Sequence, residues 1–161
     1  MEVDSINPFI ESVDELFSRM LNAKLQRGNI AVSQEPSKSC EITAIVGMSG
    51  FFCGSVALAF STKTAITVIN RLLDTDIRIV DESITDGIAE FVNIVAGAAK
   101  VKFIIPEGGK PIDLTLPVII RGRDYSVSHS RKSTWLEVPF ESELGGFHLR
   151  VTLEGKMSKE S

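Results

Sequence analysis

The sequence predicts an α/β (α+β) sandwich, a largely antiparallel sheet packed with about three helices. The first sign is the order of patterns along the chain: one helical stretch, a pair of β-rich runs, two more helical stretches, then several strand-like runs. A second is that the β-rich runs within 40 to 60 flank "GMSG", a short Gly-bounded separator suited to a hairpin. The third is the lack of the strand-helix alternation that βαβ units and a parallel sheet would require.

Taken in order, residues 7 to 28 form the clearest helix. Asn7 can cap it, Pro8 suits the first helical position, Glu11, Asp14 and Glu15 lie early, Lys24 and Arg27 late, and Gly28 can end it. Phe9, Val13, Leu16, Phe17 and Met20 recur at helical spacing and should make its buried stripe. After the hairpin, Ser61 is placed to cap a second helix with Ala65, Val68, Ile69, Leu72 and Leu73 as its apolar face. A third helix begins near Asp81 to Ser83 and ends before "IPEGGKP", whose prolines and glycines break helices. Beyond it, "IDLTLPVII", "STWLEVPF" and "FHLRVTLEG" read as strands, with a polar connection around Arg121 to Lys132.

With 161 residues, 43% hydrophobic and 24% charged, the chain suits one globular domain, assigned to 1–155, with 156–161 as a flexible tail. A net charge of -4 argues against a nucleic-acid partner. No apolar run is long enough to span a membrane, and the acids near the N-terminus do not fit a signal peptide, so a cytoplasmic location is expected. Cys40 and Cys53 lie in β-like runs without metal spacing and should be buried or half-buried thiols. His129 and His148 fit no ligand pattern, and no cofactor of the chain's own is expected. Walker, GxGxxG, HExxH and GxSxG motifs are all missing. Arg121, Arg123, Arg131 and Lys132 read best as a solvated rim, and Trp135 and Tyr125 as packed in or beside the sheet.

The third helix carries the informative pattern. At about 100° per residue, Asp86, Glu90, Asn93 and Gly97 share a stripe roughly 60° wide, opposite Ile88, Phe91, Val92, Val95 and Ala99. The flanking Ala89, Ala96 and Ala98 are small, and Gly97 costs about 1 kcal/mol relative to Ala within a helix. Such a face is either a solvated or helix-packing surface, with Gly97 present for close contact, or one made for the approach of a partner. A carboxylate can pair with a partner lysine, while an amide both donates and accepts without titrating. That division suits in-line phosphoryl hydrolysis, where positioning supplies much of the catalysis.

Asp86-x3-Glu90-x2-Asn93-x3-Gly97 resembles the signature helix of the CheC/CheX/FliY family of chemotaxis phosphatases, which dephosphorylate the response regulator CheY. The opening helix, Gly-bounded hairpin and "STKTAITVINRLLD" helix precede it in the order the resemblance requires. A single full motif is similar to the CheX branch. The first helix repeats the register as Asn7-x3-Glu11-x2-Asp14-x3-Ser18, but puts an anionic Asp where an amide is needed, so no catalysis is assigned to it. The resemblance implies that Glu90 docks the lysine of a phosphorylated CheY-type receiver and Asn93 positions the hydrolytic water. It further implies that Gly97 and its alanine neighbours admit the partner backbone, that Asp86 contacts the partner or supports the helix start, that Mg²⁺ resides in the receiver, and that the protein is a homodimer joined through its sheets. For the dimer, the C-terminal strands offer no edge protection beyond Arg150 and Glu154. The competing readings are a noncatalytic adaptor for a receiver or a flagellar-switch component, which would not need the amide, and a small-molecule sensor, for which no motif speaks.

Overall fold

The computed structural model describes residues 3–33, 40–122 and 134–156. A 3-10 turn at Val3–Ile6 leads directly into helix α1, Asn7–Leu21. Ile6, not Asn7, takes the cap position, and it makes no side-chain cap bond; Asn7 is thus the first helical residue and Pro8, expected there, the second. The helix stops well short of Gly28. Asn22 adopts the left-handed conformation at φ 51° and its N–H donates to the Phe17 carbonyl, a stop that asparagine tolerates better than most residues. The chain then doubles back as two short strands, β1 at Gln26–Arg27 and β2 at Ala31–Ser33. Phe9, Val13, Leu16 and Phe17 are buried as expected, but Met20 is 43% exposed. Leu21, next to the reversal at Asn22, buries the last turn instead, and Ser12 joins the inner face by donating to the Pro8 carbonyl at 2.8 Å.

Strands β3, Ile42–Ser49, and β4, Phe52–Phe60, form the expected antiparallel hairpin. Its turn lies at Gly50 and Phe51, so most of "GMSG" is strand: burying Met48 on the core face extends β3. Gly50 has φ +108°, and a Cβ there would overlap the Pro111 carbonyl oxygen. Helix α2, Thr62–Leu73, is capped by Ser61, whose Oγ accepts from the Thr64 N–H at 3.2 Å. Ala65, Val68 and Ile69 are buried, while Leu73, beside the left-handed Asp74 that ends the helix, is 48% exposed. Helix α3 spans Glu82–Lys100. The "IDLTLPVII" run divides around Pro117, which has no N–H to give a ladder, into β5, Asp113–Leu114, and β6, Val118–Arg121. Strands β7, Trp135–Glu141, and β8, Phe147–Lys156, complete the sheet.

Among the described residues the sheet has eight strands, every pair antiparallel, in the order β1-β7-β8-β4-β3-β5, with β2 also on β7 and β6 also on β3. The sheet and three helices make the two layers of an α+β sandwich. Strand β8 pairs with both β4 and β7. Arg150 and Glu154 therefore guard no edge, contrary to the expectation from sequence; the short β1, β2, β5 and β6 form the margins. Lys156, expected to open the tail, pairs with Phe52 within β8.

Strand alternation divides the two sheet faces. Phe147, Leu149 and Val151 of β8 join Val56, Leu58 and Phe60 of β4 in the core beneath the helices. Phe17 bridges the layers, 4.9 Å from the Phe147 ring and 5.5 Å from Phe91 on α3. The other face of β7 and β8 carries a buried ion pair, Arg150 Nε to Glu137 Oε2 at 2.8 Å. Beside it, Cys40 Sγ lies 3.6 Å from His148 Nδ1. Cys40 is buried and Cys53 half-buried, and Trp135 packs into this sheet at 3% exposure. Arg123, Tyr125, His129, Arg131 and Lys132 lie outside the described residues.

Candidate functional site

Helix α3 is held from both its start and its inner face. Asp81 caps it, its Oδ1 accepting from the Ile84 N–H at 3.2 Å, and Glu82 in the first turn complements the helix dipole. Ile84, Ile88, Phe91, Val92, Val95 and Ala99 are all fully buried against the sheet and the neighbouring helices. Ala96, grouped with the open face from the sequence, is also fully buried, because it lies at the inner border of the helical projection. Lys102, just past the helix, ties this end to α1 through Glu15 at 3.2 Å. The outer face is thus presented from a braced support.

On that face Asp86 and Glu90 are exposed, and Asn93 and Gly97 are half-exposed. The four predicted residues are brought together as expected from their spacing. Neighbours three or four residues apart on a helix stand about 5–6 Å apart at Cβ, so Glu90 and Asn93 can engage one small site together. Among the described residues no hydrogen bond or ion pair occupies the side chains of Asp86, Glu90 or Asn93. A carboxylate and an amide are left side by side, available to something outside the chain.

The two glycines of α3 differ sharply in their surroundings. A Cβ on Gly87 would meet Ile69 Cδ1 of α2 at 2.7 Å, so this glycine lets two helices of the same chain pack closely. A Cβ on Gly97 would meet nothing within 4 Å. Internal helix packing, one of the explanations open from sequence, does not explain Gly97. Its helix cost of about 1 kcal/mol brings no gain within the described fold, and what it leaves is a shallow notch one turn beyond Asn93.

Helix α1 packs beside α3, and its own polar stripe, Asn7, Glu11, Asp14 and Ser18, is exposed throughout. The stripe has the register of the α3 face but offers only acids at its centre. An aspartate in place of the amide cannot donate a hydrogen bond when ionised and would repel a phosphoryl oxygen. Of the two stripes, that of α3 is the one that sets an amide, Asn93, three residues beyond its central glutamate. Sequence reasoning stopped at Gly97; Val101 and Ile104 beyond it are 78% and 91% exposed, and carrying the helical projection one more turn would have placed Val101 beside the stripe.

Residues 42–141 match the family described as chemotaxis phosphatase CheX. The chain is 26% identical over 128 residues to the CheY-P phosphatase CheX of Thermotoga maritima, covering 79% of this chain and 81% of that protein. A CheC-like superfamily protein from Shewanella sp. PV-4 superposes with a TM-score of 0.82 at 25% identity, covering 96% of this chain and 100% of the other. CheX in the CheX-CheY-BeF3-Mg²⁺ complex of Borrelia burgdorferi shares the fold at a TM-score of 0.75 and 23% identity, over 94% of this chain and 99% of that one.

Proposed function

The chain belongs to the family of the chemotaxis phosphatase CheX, and from that premise we propose that it hydrolyses the aspartyl phosphate of a CheY-type receiver domain. Glu90 pairs with the lysine of the receiver's active site and sets α3 over the phosphorylated pocket. Asn93 enters the pocket and holds a water in line with phosphorus, accepting one of its hydrogens while its own N–H₂ steadies the phosphoryl oxygens. The water oxygen bonds to phosphorus as the bond to the aspartyl oxygen breaks, releasing inorganic phosphate and the receiver carboxylate. Positioning suffices, because the acyl phosphate already carries a good leaving group.

The Mg²⁺ belongs to the receiver, where it offsets phosphoryl charge. Among the described residues no three His, Cys, Asp or Glu side chains converge to hold a metal. This chain's part is to dock, to orient and to keep the attacking water in place. Gly97 and the half-buried Ala89 and Ala98 leave room for the receiver backbone, and Asp86 extends the acidic contact.

One observation carries the reading: the helix-interior Gly97, with open space around it, lies on the same face as an unengaged Glu90 and Asn93. Close approach by a partner gives that glycine a use that packing within the described residues does not. The test is phosphate loss from a panel of phosphorylated receivers with Mg²⁺, comparing no addition, wild type and Asn93→Ala. Acceleration lost in the variant supports the phosphatase. Unchanged phosphate loss together with retained receiver binding would instead make the chain an adaptor.

The proposal places the protein in the cytoplasm with its receiver, as a homodimer joined through its sheets. The exposed Leu116 and Val118, at 85% and 59%, lie at the β6 margin, which is the part of the described sheet best suited to such a contact. A monomer by light scattering at working concentration would refute the dimer without touching the chemistry.

A further inference from the structure

We infer that the receiver-docking surface continues past Gly97 onto Val101 and Ile104, which seat against apolar side chains of the receiver beside its phosphorylation pocket; this rests on the phosphatase reading above. Val101 keeps helical backbone angles, φ -76° and ψ -10°, at the end of α3. It therefore stands four residues, or about 6 Å of rise, beyond Gly97, which in turn stands four beyond Asn93. Asn93 and Val101 flank the notch at Gly97.

The outward direction of the apolar pair is fixed by what lies between them. Lys102 reaches in to Glu15 at 3.2 Å, and the Phe103 ring packs 5.6 Å from Phe9 and 4.7 Å from Phe52. With those two anchored inward, Val101 and Ile104 remain 78% and 91% exposed. They are thus large apolar side chains on an anchored turn, contiguous with the catalytic stripe. A specific protein interface buries roughly 800 Å² per partner. Glu90, Asn93 and Gly97 offer too little surface for this, and almost none of it apolar. The pair supplies the missing kind of area, and acids at one end of the helix with aliphatics at the other give the receiver a single orientation along it.

The experiment compares Val101→Ser combined with Ile104→Ser, Asn93→Ala and wild type in phosphate release across receiver concentrations, with light scattering on each. The double variant is expected to raise KM roughly tenfold or more, as loss of two buried aliphatic contacts would, with a much smaller fall in kcat. Its melting temperature should stay near wild type, because both residues are exposed. A wild-type KM, or unaltered affinity for a beryllofluoride-loaded receiver, overturns the inference. A loss of dimer mass in the double variant also overturns it, by assigning the patch to a second copy. If Asn93→Ala is impaired and the double variant is not, only this inference fails; if wild type is inactive on every receiver, the phosphatase reading fails and takes the inference with it.

Discussion

Asn93 and Glu90 stand within one turn of each other but are assigned different tasks, and single substitutions should separate them. Asn93→Ala is expected to lower kcat about a hundredfold or more, the scale for losing one preorganised polar group, while KM changes little. Glu90→Ala should instead raise KM at least roughly tenfold, since it leaves a partner lysine unpaired. Titration with a beryllofluoride-loaded receiver checks the division: equal loss of binding in both variants would refute it. That the two share a helix face was legible in the sequence, because helical spacing alone puts them on one stripe. What spacing could not reveal was the surroundings of each glycine. Gly87 and Gly97 look alike in a sequence, and only the position of Ile69 distinguishes the one that packs from the one that stands open.

At the scale of elements, that difference makes the two glycines of α3 respond oppositely to the same change. Gly97→Ala should raise stability by about 1 kcal/mol through helix propensity, yet reduce receiver turnover by filling the notch. Gly87→Ala should lower stability, because the fully buried Ile69 must yield to a Cβ at 2.7 Å, which outweighs the gain in propensity. Thermal melts beside turnover assays read both effects. The start of α3 at Asp81 and that of α2 at Ser61 were legible because each side chain makes the local cap bond its type favours. The end of α1 was not. Lys24, Arg27 and Gly28 gave a plausible later stop, but the earlier reversal at Asn22 frees Gln26–Arg27 and Ala31–Ser33 to pair with β7, a long-range gain that local pattern does not record.

Across the whole molecule, the sheet face away from the helices couples stability to pH. Burial pushes His148 below its ordinary value near 6.5; Glu137 and Glu141 oppose this, and Arg150 reinforces it. The folded state therefore favours neutral His148, while the unfolded chain takes up the proton first as pH falls. Stability from this group is full above about 6.5 and declines below it until the lowered folded value is passed. Denaturant melts between neutral and mildly acidic pH should show that slope in wild type and less of it in His148→Gln. The class of fold was legible from element order, but strand order was not: nothing local says that β8 lies between β4 and β7. That placement bears on how the chain is made. During synthesis β4 and β7 emerge before the strand that joins them, so the backbone edges that pair with it stay open until residues 147–156 leave the ribosome. The sheet can close only late, and a nascent chain halted before Phe147 keeps two strand edges open to pairing with other chains.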